Sequence, residues 1–286
     1  MQEGREKHTF LNIVFLFLII LACLFLYAKY FGVKGIQVKE YKVESNILTD
    51  NFSGLKIVHF SDLLYKSTVY RNDVASLVNK INLLEPDIVV FTGDLVDVKA
   101  KITSLDIELL EEELSKIHAT IGKYAIYGDY DFSLDEYENI MSKAEFKILY
   151  NSYDEIYYMT NENIYLVGLP SSIKETSDLS KSFEFYDDNN RKYIIVLVHD
   201  GNTIKYLNES DYEVDLILGG HSLNGTVVLP YFGGLFNDEN AYKYSGPYYK
   251  KGITDIYISS GLGTNKYQLR FNNKPSFNLY RLKAQS

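Results

Sequence analysis

Tryptophan is absent from this chain, and cysteine occurs once, at Cys23. A single thiol excludes an intramolecular disulfide and any zinc site built on cysteines. A metal would have to be held by Asp, Glu, His and Asn. The missing tryptophan, set against 26 tyrosines, is compositional drift and carries no functional reading. Excess positive charge is missing too. The 286 residues carry a formal net charge of -9 and no basic stripe able to neutralise many phosphates, so a general nucleic-acid binder is excluded. There is no internal repeat and no low-complexity run. The length suits one large globular domain or two small ones.

One long apolar run is present, from Phe10 to Ala28, with Asn12 its only strongly polar residue. As a helix it would cover roughly 28 Å, close to the hydrocarbon core of a bilayer. It predicts a retained single-pass transmembrane helix. A cleaved signal peptide is the rival reading; the length of the run and the lack of an A-x-A site weigh against it. "ILAC" before Cys23 faintly resembles a lipoprotein cleavage box, but the apolar run continues past the cysteine. Arg5 and Lys7 precede the span and Lys29, Lys34 and Lys39 follow it, so flanking charge does not set its orientation. The expected divisions are a tail (1–9), the span (10–28), a juxtamembrane segment with a first strand (29–54) and a folded domain (55–286).

Within that domain, short apolar strands (55–62, 86–94 and 122–131) alternate with amphipathic helices (74–84 and 104–119, with Ser104 a candidate cap). This pattern indicates a sheet covered on both faces. Further strands follow at 163–169, 192–200, 214–221, 225–230, 254–261 and 277–282, with short links that suggest a more antiparallel second half. The fold class is α/β, with two sheets packed face to face and helices outside. The polar stretch 171–190 is expected to be a mobile loop.

Five strand ends carry Asp62; Asp94 with Asp97; Asp129 with Asp131; His199; and His221. Ligand sites in α/β sheets lie beyond the carboxyl ends of strands, so these side chains would meet on one rim. Taken singly, each acid reads as a turn former or helix cap. His59, inside the first strand, reads as a core residue. His118 closes a helix and His8 precedes the span.

The segments "SDLL" (61–64), "TGDLVD" (92–97), "YGDYD" (127–131), "LVHD" (197–200) and "GGHSLNG" (219–225) resemble, in order, the five motifs of calcineurin-like metallophosphoesterases. Those motifs are D-x-H, G-D-x-x-D, G-N-H-[DE], a lone H after a strand, and G-H-x-H. The closing "ISSGLGTNKYQLRFNNKPSF" (258–277) is similar to the end of the membrane-associated bacterial branch. The resemblance implies a four-layer α/β/β/α sandwich and two metals about 3.5 Å apart, bridged by one acid, acting on a phosphoester. It also implies an envelope location, with the domain outside the cell membrane.

Carried over residue by residue, the resemblance implies one metal held by Asp62, a position now Leu64, Asp94, and a position now Leu223. Both of its histidines are replaced. The second metal would be held by Asp94, Asp129 (asparagine in the family), His199 and His221, all competent ligands. The expectation is therefore one divalent ion, Mn, Fe or Zn, rather than two. Tyr130 stands where the family has a histidine near the substrate. Asp131 remains and could orient Tyr130, and the two are the catalytic candidates. Lys66 reads as a solvated loop lysine, with positive charge for the vacated half as the sharper alternative. Gly261–Leu262–Gly263 reads as a tight turn rather than a phosphate cradle, and Arg270 as either a structural ion pair or a substrate contact. Two functions follow. One is a membrane-tethered phosphoester hydrolase acting on a phosphorylated small molecule or lipid head group. The other is a catalytically inactive relative that binds such a ligand or a protein partner.

Overall fold

The computed structural model describes residues 2–235 and 243–285. An N-terminal helix, α1 (Gln2–Tyr30), precedes two six-stranded sheets. The first is built from β1 (Gln37–Ser45), β2 (Lys56–Phe60), β3 (Ile88–Phe91), β4 (Gly122–Ala125), β5 (Phe146–Ile148) and the last strand, β14 (Ser276–Ala284). Their order is β1-β14-β2-β3-β4-β5, and β2 to β5 are parallel. The juxtamembrane strand β1 pairs with β14 along its whole length, Gln37 opposite Ser276 through Ser45 opposite Ala284.

The second sheet uses β6 (Ser152–Tyr157), β7 (Asn163–Gly168), β8 (Ile194–Leu197), β9 (Leu216–Gly219), β12 (Tyr248–Lys251) and β13 (Thr254–Ile258), in the order β12-β13-β9-β8-β7-β6. Between β9 and β12 lies a small hairpin, β10 (Val228–Leu229) with β11 (Gly233–Gly234). Only the edge pairs β6–β7 and β12–β13 are antiparallel; β7, β8, β9 and β13 run parallel. The antiparallel second half expected from short links is thus confined to the sheet edges. The reason is an extra crossover helix, α6 (Gly201–Asn208), which follows β8 and is capped by the Asp200 carboxylate on the Asn202 and Thr203 amides.

Alternation along the strands builds three apolar cores. On β3, Val89 and Phe91 face α2 (Arg71–Asn82), α3 (Ser104–Ser115) and α4 (Tyr137–Lys143), while Ile88 and Val90 face the second sheet. On β8, Ile195 and Leu197 face the first sheet, and Ile194 and Val196 face α5 (Leu179–Ser182) and α6. Two sheets back to back with helices on both outer faces make the four-layer sandwich. Helix α2 buries Val74, Leu77, Val78 and Ile81. Helix α3 starts at a reciprocal cap one residue before the expected one: Thr103 Oγ1 accepts from the Asp106 amide, and the Asp106 carboxylate accepts from the Thr103 amide. The stretch 171–190 is not a structureless loop, because it carries α5 and buries Phe183 against Tyr212.

Helix α1 is long and apolar enough over His8–Tyr30 to cross a membrane, its most apolar 18 residues having a mean hydropathy of 2.9. Its last turn packs on the globular part. The Ala28 carbonyl accepts from the Arg270 amide (3.0 Å), and the Tyr27 ring meets Phe271 edge-on.

Candidate functional site

Asp62, Asp94, Asp129, His199 and His221 follow the carboxyl ends of β2, β3, β4, β8 and β9. Parallel strands within each sheet bring those ends to one rim, and all five side chains are buried there. The chain bends sharply to aim them. Asp62 (φ 47°), Asp94 (φ 63°) and His221 (φ 62°) lie in the left-handed region, which is costly for a side chain other than glycine. Glycine is required just before Asp129: a Cβ on Gly128 would lie 2.5 Å from Asp94 Oδ1 and 2.9 Å from His199 Cε1.

His199 is completely buried. Its Nδ1 meets the Thr92 carbonyl at 2.7 Å, which makes Nδ1 the protonated nitrogen. Its Nε2 then points to Asp94 Oδ2 (3.4 Å) and Asp129 Oδ2 (3.9 Å) and makes no ordinary hydrogen bond. His221 Nδ1 lies 3.0 Å from Asp129 Oδ2. One ligand atom each from Asp129, His199 and His221 falls within 4.8 Å of the others, and so does one each from Asp62, Asp94 and His199. Ligands at about 2.1 Å from a common ion sit roughly 3–3.5 Å apart, so this donor set fits a divalent metal. A histidine whose far nitrogen is fixed by a backbone carbonyl is the usual way a metal-binding imidazole is oriented.

Electrostatics make the same demand. Burial pushes the Asp62 carboxyl up, to about 6, with Asp94 adding to the rise and His199 opposing it. Burial also works against the Asp129 carboxylate, but His199, His221 and the Ser171 hydroxyl hold it down at about 2. For His199, burial favours the neutral ring, and Asp94 and Asp129 overcome it to raise the imidazole well above its ordinary value. Three buried carboxylates therefore draw positive charge into the site.

The side of the site beyond Asp62 is packed, not open. Leu64 and Leu223 are both buried against the Gly261–Leu262–Gly263 turn. A Cβ on Gly261 would meet Leu223 Cδ2 at 2.2 Å, and one on Gly263 would meet Leu64 Cβ at 2.5 Å. The amides of Leu262 and Gly263 both donate to the Asp62 carbonyl (3.1 and 2.9 Å), so they are not free to cradle a phosphate. Asp62 itself accepts from the Ser61 hydroxyl and from the His221 amide (3.2 Å). It stays within ligand reach of Asp94 and His199.

The two catalytic candidates are separated. Asp131 does not orient Tyr130. Its carboxylate accepts from the amides of Asp94 (2.7 Å), Leu95 (2.8 Å) and Gly128 (2.8 Å), pinning the β3 and β4 loops to each other. Tyr130 instead donates its hydroxyl to Asn265 Oδ1 (3.1 Å), while its amide donates to Asp94 Oδ1 (2.9 Å). Burial, then Asp94 and Asp129, raise the phenol above its ordinary value. Lys66 pairs with Asp106 at the start of α3 and supplies nothing to the site. Arg270 is fully buried and donates to the Ser260 (2.8 Å), Gly261 (3.1 Å), Gly263 (2.6 Å) and Asn273 (3.2 Å) carbonyls, which makes it a clamp on the turn rather than an open substrate contact. His59 is buried on β2 and bonds Thr92 Oγ1 (2.9 Å). Ser171 and Asn265 also reach the site. Ser171 Oγ donates to Asp129 and Asn265 receives Tyr130, but no motif spacing marks either residue.

The calcineurin-like phosphoesterase pattern matches residues 55–225. The metallophosphoesterase YkuE of Bacillus subtilis is 30% identical over 261 residues, covering 90% of this chain and 89% of its own. The UDP-2,3-diacylglucosamine pyrophosphatase LpxG of Chlamydia trachomatis is 26% identical, covering 80% of this chain and 83% of its own. A transmembrane protein with a metallophosphoesterase domain from Danio rerio is 24% identical over 92% of this chain and 60% of its own. With the family pattern spanning more than half of the chain, and the fold and the rim of acids and histidines as described, this protein belongs to the calcineurin-like phosphoesterase family.

Proposed function

We propose that this protein is a membrane-anchored phosphoester hydrolase with a reduced site, holding one divalent metal through Asp94, Asp129, His199 and His221. The observation that carries the reading is His199: a completely buried imidazole, fixed at Nδ1 by the Thr92 carbonyl, with Nε2 directed at two carboxylates. A divalent ion there would supply Lewis-acid polarisation of a phosphoryl oxygen. The chain's residues do the rest. Asp94 sits between the two halves, with Asp62 flanking it on the packed side. Tyr130 offers a hydroxyl at the rim, held by Asn265. The substrate class is a phosphorylated small molecule or lipid head group. LpxG, a pyrophosphatase named for a diacylated sugar nucleotide, supports the lipid side of that range. Helix α1 anchors the chain as a single pass in the cell membrane, with the domain of residues 55–286 outside the cytoplasm.

A second reading is favoured by Tyr130. Its phenol is raised and already engaged, and it is a poorer proton donor than the imidazole it replaces. On that reading the protein keeps its metal and binds a phosphorylated ligand or a protein partner without turnover. Metal analysis with a chromogenic phosphodiester assay separates the two. One metal equivalent, with turnover abolished in His199→Ala and Asp94→Ala, supports the hydrolase. Tight metal without turnover across a phosphoester panel supports the inactive binder. Two equivalents in the natural chain overturn the one-metal site in either form.

A further inference from the structure

The β10–β11 hairpin presents Tyr231 and Phe232 at its tip with 105% and 84% of their surface exposed, and Leu235 follows at 51%. Two large aromatic side chains exposed side by side in sequence at a hairpin tip differ from the singly scattered apolar side chains ordinary on a soluble surface. The foot of the hairpin is tied to the end of α1 by one short relay. Val228 donates to the Phe271 carbonyl (2.9 Å), Phe271 donates to the Thr226 carbonyl (2.9 Å), and the neighbouring Arg270 amide donates to the Ala28 carbonyl in the last turn of α1 (3.0 Å). The Tyr27 ring packs on Phe271 itself. Tyr27, Tyr30 and Phe31 are the aromatic end of the apolar helix, the composition of a membrane–water interface. The foot of the hairpin therefore lies at that level. Its two-residue strand and turn reach about 10 Å, comparable to the depth of an interfacial anchor.

The protein is acidic overall, at -9, but Lys29 is exposed at the end of α1 and Lys274 lies beside Gly35, just past the helix. Lysines at this level complement an anionic head-group layer.

We propose that the β10–β11 hairpin is an interfacial wedge that inserts Tyr231 and Phe232 into the surface of an anionic phospholipid bilayer beside α1. The inference rests on the membrane-anchor reading of α1. It also orients the site. His221 lies ten residues before Tyr231 on one continuous segment. Asn273, next to the relay, donates to the Leu223 (2.7 Å) and Gly225 (2.6 Å) carbonyls and so fixes that segment. With the wedge inserted, the rim bearing His221 is held against the head-group layer. The phosphoester it meets is then that of a membrane lipid.

The lack of tryptophan makes the test direct, since any introduced tryptophan reports alone. Phe232→Trp, Phe17→Trp and Tyr157→Trp are each made in the full chain and reconstituted into phosphatidylcholine–phosphatidylglycerol bilayers, with and without lipids brominated near the head group. The position-17 variant is also read with lipids brominated deep in the chain. Position 157 is on edge strand β6 of the second sheet. The expected result is a blue-shifted position-232 emission that loses most of its intensity to the shallow bromines, more so with phosphatidylglycerol than without. Position 17 is quenched by the deep bromines and position 157 by neither. If position 17 is quenched while position 232 behaves like position 157, the anchor stands and the wedge falls. A blue-shifted but unquenched position 232 means the tip is covered by protein, such as a second copy, and also overturns the wedge. An unquenched position 17 overturns the anchor reading and the wedge with it.

Discussion

At the residue scale the proposed one-metal site turns on two leucines taken together. Leu64 and Leu223 pack on the two glycines of one turn, so apolar side chains fill the space beside Asp62. Restoring imidazoles at both positions, Leu64→His with Leu223→His, is expected to raise bound metal from one equivalent to two. Either single change should leave it at one, because Asp62 and Asp94 gain only one imidazole; elemental analysis of the purified variants checks this. That Leu64 and Leu223 stand at motif positions is read directly from the sequence; that together they empty one metal position is the proposal the elemental analysis tests. The role of Asp131 was not legible in the sequence. Three amides from two loops consume its oxygens, and which amides converge is a tertiary fact with no local signature. His59 gives a prediction away from the metal. Burial lowers its pKa from 6.5 to about 3, so it is neutral when folded. As pH falls from 6.5 towards 3, the unfolded chain takes up a proton that the folded chain refuses, and stability drops by about 1.4 kcal/mol per pH unit from this residue. His59→Gln should remove that slope. Denaturant unfolding at pH 7 and pH 5 should show the variant gaining on the natural chain as pH falls.

At the element scale, continuous apolar strands and 3.6-residue periodicity located β2, β3, α2 and α3 to within a few residues, while β4, expected over 122–131, ends at Ala125 where the chain turns into the site. Short elements escaped. Helices α4 and α6 and strands β5 and β6 are eight residues or fewer, and their ends are set by contacts with other segments. Missing α6 is what turned a parallel sheet into an expected antiparallel one. The segment from Gly261 to Asn273 is clamped from within: Arg270 gathers the carbonyls of Ser260, Gly261, Gly263 and Asn273 in a fully buried position. Burial lowers its pKa to about 10, with Asp62 opposing the fall, so it remains a cation at neutral pH. Arg270→Met leaves those acceptors buried and unpaired and should cost on the order of 3–5 kcal/mol in denaturant unfolding. Arg270→Lys should recover only part of the loss, because an ammonium cannot reproduce the planar fork.

At the scale of the whole molecule, the apolar helix and the globular part are joined by structure and not by a tether. The sequence indicates a span of 10–28 and places the folded domain from residue 55. The helix continues to Tyr30, and β1 closes one edge of the first sheet. Between them, Ala28 and Val33 are buried, and a Cβ on Gly32 would sit 1.8 Å from the Arg270 carbonyl oxygen. The last turn of α1 thus packs on the segment that Arg270 clamps, and that segment contacts Leu64, Leu223 and Asp62. Two truncations that both discard the apolar run should consequently differ. A chain beginning at Leu26 keeps the Ala28 carbonyl and the Tyr27–Phe271 contact. A chain beginning at Gly32 loses both and leaves the Arg270 amide without its acceptor. The shorter chain should be less stable by roughly 1–3 kcal/mol, which for a domain of this size lowers Tm by about 2–4 °C per kcal/mol. Introducing Tyr27→Ala into the longer chain removes the ring contact but keeps the carbonyl, and should fall between the two. Identical melting of all three would show that the helix end is a passive tether. The graded order would show that the position of the site relative to the membrane is built into the fold.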